Sequence, residues 1–247
     1  MKHWKHTSWT LALCVLGGLA TVANAQDEQA NRMKTALASP QRPQADKDRD
    51  AARKPIETIQ FLGIKSGQTV MDVIAVGGWF TEVLSAAVGP SGKVYGQNPT
   101  FFTTRPGFGD AEKARDDRLG NVTAVHGDIP EAGLNGKLDA ALTALNLHDI
   151  YGQGGEAAAV ALCKAVFDAL KPGGVFGVID HVGIAGQDTK AQHRIELATA
   201  KDILTKAGFK IEAESNILKN STDDHTKPVF ALQHQTDQFL IRARKPN

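Results

Sequence analysis

Hydrophobic positions along residues 69–99 change their spacing in the way that a strand, a helix and a second strand require. Thr69–Ala75 is a short apolar and β-branched run, which is typical of a buried strand. After the loop Val76–Gly78, apolar residues recur from Phe80 at i, i+3, i+4, i+7 and i+8, the spacing of one helix face. Gly89-Pro90 ends that helix, and another β-type run follows it. This stretch predicts one βαβ unit.

The same alternation continues to the C-terminus. Further strands are predicted at Asn121–His126, Leu138–Leu145, Val175–Ile179, Lys210–Glu214 and Gln238–Arg244, and further helices at 55–62, 111–118, 159–170 and 191–207. Strands that alternate with helices predict an α/β fold, here a doubly wound, mostly parallel Rossmann-like sheet of about seven strands. The last two strands have no helix between them, so we expect an antiparallel strand near the C-terminus.

The first 25 residues have a different pattern from the rest of the chain. Lys2 and Lys5 precede an apolar core, Leu11–Val22, and Ala23-Asn24-Ala25 follows it as a cleavage site of small residues. This pattern predicts a secretory signal peptide that is cleaved after Ala25, and a periplasmic or secreted location. The apolar run is short for a membrane span, although an uncleaved anchor stays an alternative.

Residues 26–53 are polar and charged, and they predict an N-terminal arm leading into a domain over 54–247. Removal of residues 1–25 lowers the count of Lys and Arg from 28 to 26, against 27 Asp and Glu. This balance argues against a nucleic-acid partner, and we expect a small-molecule substrate and no stable membrane span after cleavage. Cys163 is then the only cysteine, so no intramolecular disulfide can form. The oligomeric state is left open.

Polar side chains follow the predicted strands at their carboxyl ends, where open α/β sheets bind ligands. His148 and Asp149 follow the fourth strand, His181 ends the fifth strand, and His225 lies in a later loop. The candidates for catalysis are His148, Asp149 and His181, with His148 as the preferred base; His225 could reach in from its loop. A histidine at a strand end can equally hydrogen-bond a backbone carbonyl, and this interpretation stays open.

The spacing of histidines, cysteines and acids predicts no metal site. The chain has no H-x-x-x-H, H-E-x-x-H or Cys-pair motif, so several His and Asp would have to converge in space. His193-Arg194 falls at the start of the predicted helix 191–207, where it is expected on an exposed face or as an anion contact.

A set of short motifs carries a family resemblance. They are Leu170–Gly174, Asn146–Asp149, Asp180-His181, His193–Ile195, Asp223–Lys227 and Thr236–Phe239. With the Rossmann-like start and the closing strand pair, they make the chain resemble the class I S-adenosylmethionine-dependent methyltransferases over about Pro55 to Pro246. More narrowly, the chain resembles a group of exported bacterial predicted methyltransferases.

The resemblance implies S-adenosylmethionine as cofactor and assigns its contacts by position. The loop Ala75–Gly78, with Gly77 and Gly78, would pass under the methionine part, and Asp72 precedes this loop on the first strand. Asn98 would meet the ribose hydroxyls, Asp128 would meet the adenine edge, and Asn146 would line the floor where the methyl group moves.

The chain departs from the family pattern at two places. The usual loop reads acid-x-Gly-x-Gly-x-Gly, and here Ile74 and Val76 replace the first two glycines. β-Branched residues resist positive φ and add bulk beside the ligand. Asn98 replaces the ribose acid. Two functions follow: a methyltransferase acting on an unidentified small molecule outside the cytoplasm, or a catalytically degenerate ligand-binding protein with the same fold. A metal-dependent enzyme on the same scaffold stays a third alternative, because several His and Asp follow the strands.

Overall fold

The computed structural model describes residues 12–233 and 235–247, with side chains from residue 24 onward. The basic start of the predicted signal peptide, with Lys2 and Lys5, lies outside the described residues. Helix α1 runs from Ala12 to Leu37 and so continues through the predicted cleavage site at Ala25. Within the described residues, no helix combines the length and apolarity needed to cross a membrane.

A single seven-stranded sheet forms the centre of the molecule, in the order β3-β2-β1-β4-β5-β7-β6. The strands are β1 Thr69–Val73, β2 Lys93–Asn98, β3 Val122–His126, β4 Leu138–Ala144, β5 Leu170–His181, β6 Lys210–Ser215 and β7 Gln238–Arg244. Strands β1 to β5 pair in parallel, and β7 runs antiparallel to both β5 and β6. The predicted fold class, with its antiparallel strand near the C-terminus, is confirmed.

Helices cover both faces of the sheet. They are α1, α2 Gln44–Lys47, α3 Asp50–Arg53, α4 Pro55–Leu62, α5 Trp79–Val88, α6 Thr100–Thr103, α7 Phe108–Leu119, α8 Leu147–Ala169 and α9 Leu197–Lys206. Adjacent residues of β1 point to opposite faces: Val70 packs with the α1, α4 and α5 side, and Met71 with the α8 and α9 side. Cys163 is fully buried in α8, as its helical spacing predicts.

The predicted N-terminal arm, residues 26–53, packs against the sheet domain. Met33 and Leu37 of α1 are buried in the core beside α5. The Gln29 amide donates to the carbonyls of Ile64 and Ala87 at 2.9 and 3.0 Å. The indole of Trp79 donates to the Asp46 carbonyl at 2.9 Å. The Trp79 contact places helix α2 beside the start of α5, after the loop that follows β1.

The helix predicted at 191–207 begins six residues later than expected, at Leu197. Arg194 is 1% exposed, so the prediction of an exposed helix face is wrong. Its guanidinium donates to both carboxylate oxygens of Asp223, at 2.9 and 3.0 Å, and to the carbonyls of Val182 and Lys227. A guanidinium satisfied in this way can be buried, and its burial holds residues 191–196 in turns instead of a helix.

Candidate active site

The loop after β1 keeps a backbone conformation that favours glycine, although two of the family's three glycines are replaced. Ile74, Val76 and Gly78 have φ of 58°, 48° and 75°, so all three are left-handed. These are the three positions at which the family pattern has glycine. A left-handed conformation costs a β-branched residue about 1–2 kcal/mol, so contacts elsewhere must hold the loop in this shape.

Two predicted cofactor residues provide such contacts. The Asn98 side-chain oxygen accepts the Val76 N–H at 2.7 Å. The Asn146 amide donates to the Ile74 carbonyl at 3.1 Å and to the Ala144 carbonyl at 2.9 Å. The ends of β2 and β4 are therefore tied to the loop through side chains, and this compensates for the unfavourable φ values.

Asp72 is buried at the end of β1, and its carboxylate accepts the hydroxyl of Thr81 at 2.7 Å. Burial raises the pKa of Asp72 to about 6, although the Thr81 hydrogen bond and the charges of Arg115 and Arg53 act in the opposite direction. The bond to Thr81 joins the strand to helix α5, which begins directly after the loop.

The remaining predicted cofactor residues surround the same loop. Ala75 is half-buried, and Gly77 is exposed, with open space where a Cβ would lie. Gly78 is buried, and a Cβ there would lie 1.6 Å from Nη1 of Arg115, so a larger residue would require the Arg115 side chain to move. Asp128 is exposed directly after β3.

A carboxylate that the sequence did not reveal lies beside Asn98. Helix α7 places Glu112 so that the Asn98 amide donates to it at 3.1 Å, and Glu112 also contacts the His126 ring at 2.5 Å. Glu112 is 5% exposed. The helical pattern at 111–118 predicts the helix, but not which of its charged residues turns inward toward the end of β2.

The two catalytic candidates at the ends of β4 and β5 meet through Asp180. Its carboxylate accepts a hydrogen bond from Nδ1 of His148 at 2.6 Å. It also accepts hydrogen bonds from the backbone N–H groups of His148 and His181, at 2.9 and 2.8 Å. Because Asp180 acts as acceptor, Nδ1 of His148 carries the proton and Nε2 is the free ring nitrogen. Burial alone lowers the pKa of His148, but Asp180 and Asp149 outweigh it and the net pKa is raised.

The pKa of His181 is shifted in the opposite direction from that of His148. Burial lowers its pKa to about 4, although the charge of Asp180 acts in the opposite direction. Its Nδ1 lies 2.8 Å from the Thr236 hydroxyl. Its ring centre is 5.5 Å from that of His148. The pair therefore combines a neutral imidazole with one whose pKa is raised.

Asp149 and His193 complete this group. Nδ1 of His193 lies 2.8 Å from Oδ1 of Asp149, and the same oxygen lies 3.4 Å from Nε2 of His148. His148, Asp149 and His193 each have one potential ligand atom, and these three atoms lie within 4.8 Å of one another. The sequence predicts His193 at the start of a helix, on an exposed face or as an anion contact, because the turns at 191–196 leave no recognisable pattern.

His225 does not join this group. Its Nε2 lies 3.0 Å from the Asp237 carboxylate, and its backbone N–H donates to Asp223. It therefore stabilises the loop around the buried Arg194–Asp223 pair.

A cavity of about 730 Å³ opens beside the catalytic candidates. Its walls come from the arm, from the ends of β4 and β5, and from the segment before β7. The lining residues include Asp48, Arg49, Arg53, Leu145, His148, Asp149, His181, Phe230, Gln235 and Thr236. Asp72, Asn98 and the loop Ala75–Gly78 do not line it. Leu145 lines the cavity and the next residue, Asn146, is bonded to the loop at Ile74, so the cavity adjoins the predicted cofactor loop.

Arg53, on helix α3 of the arm, forms part of the cavity wall. Its guanidinium lies over the Trp79 ring, 4.8 Å from the ring centre. Burial and neighbouring Arg49 lower its pKa to about 10. It remains a cation at neutral pH, so the cavity has a positive group opposite the histidines.

Neither a family model nor a curated protein matches the sequence. Among solved structures, a SAM-dependent methyltransferase from Aquifex aeolicus matches with a TM-score of 0.60 and 18% identity, over 87% of this chain and 97% of that chain. The 4+2 cyclase SpnF matches with a TM-score of 0.56 and 19% identity, over 79% of this chain and 81% of that chain. A possible exported protein from Bordetella parapertussis matches with a TM-score of 0.54 and 16% identity, over 81% of this chain and 68% of that chain. At these identities the likeness establishes the architecture: the chain has the fold of class I S-adenosylmethionine-dependent methyltransferases.

Proposed function

We propose that the protein is an S-adenosylmethionine-dependent methyltransferase that acts on a small molecule held in the 730 Å³ cavity. The observation that carries this proposal is the left-handed backbone at Ile74, Val76 and Gly78. A chain that had no use for this loop shape would gain stability by relaxing it, because strain persists where the surrounding structure enforces it. The fold supports the same conclusion.

The residues around the loop fit the cofactor. Gly77 leaves open space at the backbone. Asn98 is 0% exposed and its amide is bonded to Val76 and Glu112, so it would support the loop from beneath. The residues that would hold the cofactor are Ala75, Gly77, Gly78, Asp128 and Asn146, and the buried Asp72 and Asn98 would fix the shape of the loop. When bound, S-adenosylmethionine would supply a methyl group on a sulfonium, which a nucleophile can take directly.

His148, Asp149 and His181 would act on the acceptor. Asp180 fixes the ring of His148 and leaves Nε2 free at the cavity wall, as a group that receives a proton from a hydroxyl, amine or thiol requires. Asp149 is close enough to orient either that ring or the acceptor. His181 supplies a second, neutral imidazole. The arm and the segment before β7 would exclude water from the acceptor.

We propose further that the chain is exported and cleaved after Ala25. The support is the sequence of residues 1–25. Gln29, Met33 and Leu37, which anchor α1 to the domain, all lie after the cleavage site and would be retained. N-terminal sequencing of protein from the periplasmic fraction tests this, and a chain recovered only from the cytoplasm with Met1 intact would contradict it.

A ligand-binding protein without methyl transfer is the second candidate. Ile74 is buried in the apolar core and Val76 packs against it, so both side chains add bulk at the cofactor loop. SpnF, a cyclase, has a similar fold, and fold alone does not fix an activity.

Calorimetric titration of the full chain with S-adenosylmethionine and S-adenosylhomocysteine separates the two functions. We expect both to bind with a Kd of roughly micromolar, about −8 kcal/mol. The quenching of Trp79 fluorescence, isolated by comparison with Trp79→Phe, should follow the same curve, because Trp79 begins the helix after the loop. The absence of binding heat for both ligands would remove the methyltransferase function and leave the second candidate.

A further inference from the structure

We propose that His148, Asp149 and His193 bind one divalent transition-metal ion at the wall of the cavity. The site is new relative to the sequence, which has no metal-binding spacing. Its existence depends only on side-chain geometry, whereas its role toward a methyl acceptor rests on the proposed function.

The three side chains come close to the separation that one metal ion requires, since one ligand atom from each lies within 4.8 Å of the other two. Asp149 Oδ1 lies 2.8 Å from Nδ1 of His193 and 3.4 Å from Nε2 of His148. Zinc bonds of about 2.0–2.2 Å in tetrahedral geometry place two ligand atoms about 3.4 Å apart. The His148–Asp149 pair already meets this distance, and the His193–Asp149 pair must open by about half an ångström as the metal replaces the shared proton.

Asp180 gives His148 the outer support that a metal-binding histidine usually has. A carboxylate on the far nitrogen fixes the ring and directs the other nitrogen to the metal. Asp180 is 0% exposed and accepts Nδ1 of His148 at 2.6 Å. Two backbone N–H groups hold Asp180 itself in place. Nε2 of His148 is therefore presented in a fixed direction.

His193 is held in a strained conformation beside the same point. Its φ is 53°, which is uncommon for a residue other than glycine. The following residue, Arg194, is clamped by the buried Asp223, and Phe230 packs against the His193 ring with centres 4.6 Å apart. Strain that the surrounding structure enforces is concentrated at functional sites. Here it points the imidazole toward Asp149.

The ligand set indicates the class of metal and of substrate. Two imidazoles and one carboxylate suit zinc, iron, cobalt or nickel better than magnesium or calcium. Three protein ligands leave a coordination position open, as in catalytic zinc sites. His148 and Asp149 line the cavity, so that position is accessible to a ligand there. A hydroxyl or thiol bound to the metal would lose its proton more readily, with water in the cavity taking that proton. Nε2 of His148 would then serve as a ligand in place of its role as base.

Metal titration of the full chain tests the site. The protein is first treated with a chelator, and no S-adenosylmethionine is added. Calorimetry with Zn²⁺ and the visible spectrum with Co²⁺ should both give one ion per chain with tetrahedral absorption. His193→Gln should weaken binding by about a hundredfold or more, and Asp180→Asn by about tenfold to a hundredfold. His225→Gln is the matched control, because His225 is bonded to Asp237 outside the cluster; it should bind like the wild type.

Two outcomes would overturn the proposal: less than one ion bound per chain, or equal affinities for His193→Gln and His225→Gln. Circular dichroism checks that each variant folds. If His193→Gln does not fold, Asp149→Asn takes its place as the variant that lacks a metal ligand. Bound Zn²⁺ should raise the Tm of the wild type and of His225→Gln but not of His193→Gln. Failure of metal binding leaves cofactor binding intact, and failure of cofactor binding leaves the metal site intact, so the two proposals fail separately.

Discussion

Asp180 forms two hydrogen bonds with His148. One carboxylate oxygen accepts a hydrogen bond from the ring Nδ1 at 2.6 Å, and the other accepts one from the backbone N–H at 2.9 Å. The first oxygen also accepts the backbone N–H of His181 at 2.8 Å. A single buried side chain thus sets the position of both histidines at the cavity wall. The end of β5 and the start of α8 are joined at the point where the chemistry is proposed.

Asp180→Asn should destabilise the protein, because an amide replaces one of the two acceptor oxygens and leaves a buried N–H unpaired. We expect the free energy of unfolding to fall by about 1–3 kcal/mol, measured by urea denaturation. Asp117→Asn, on the exposed side of α7, is the control and should change it by less than about 0.5 kcal/mol. Equal stability of the two variants would show that Asp180 does not hold this junction.

Val76→Gly should improve cofactor binding. Glycine adopts the φ of 48° without strain, and the substitution removes the isopropyl side chain from the loop. We expect the affinity for S-adenosylmethionine to rise by about fivefold, which corresponds to about 1 kcal/mol, in calorimetric titration. Ile74→Gly relieves similar strain but empties a buried position, so it should cost about 2–4 kcal/mol of stability. Weaker binding by Val76→Gly would mean that the valine side chain contributes to the site.

Asp72 should make the stability depend on pH. Its pKa in the folded protein is about 6, above the ordinary 3.8, so the folded state binds its proton more tightly. This contribution is complete below pH 3.8 and is lost as the pH rises through about 6. Relative to Asp72→Asn, the wild type should lose roughly 3 kcal/mol of stability across that window, measured by urea denaturation. Asp117→Asn corrects for net charge, and an unchanged difference across the window would contradict the prediction.

Arg194→Lys should be among the most destabilising conservative substitutions in the described chain. Lysine cannot donate to both oxygens of Asp223, and it leaves a buried carboxylate short of partners. We expect a loss of about 3 kcal/mol of unfolding free energy. Lys113→Ala breaks an exposed ion pair with Asp117 and should cost less than about 0.5 kcal/mol. Similar losses for the two variants would be inconsistent with the buried clamp.

Cys163 should be inert in the native protein. Burial raises the pKa of its thiol to about 12 and also closes access to it. In a Cys14→Ser background, a thiol reagent at pH 8 should react only as fast as the protein unfolds, and rapidly in urea. Fast reaction with the folded chain would show that helix α8 opens locally.

The alternation of strands and helices could be predicted from the sequence because apolar spacing is a local property. Helix α4 begins at Pro55 and ends at Leu62, before Gly63, and β7 begins at Gln238, as expected. Residues 191–196 could not be assigned, since their conformation depends on Arg194 reaching Asp223 across the molecule. The candidate site shows the same division: His148 and His181 follow from their places at strand ends, whereas Glu112 and His193 do not.

The sequence by itself determined the fold class, the loop after β1 and the histidines at the sheet edge, because periodicity and chain direction fix them. Only the tertiary structure decided what these parts become. It showed that Ile74 and Val76 keep a left-handed backbone, because Asn98 and Asn146 hold the loop from neighbouring strands. It also brought His193 to Asp149, because contacts between residues far apart in sequence outweigh the local preference for a helix.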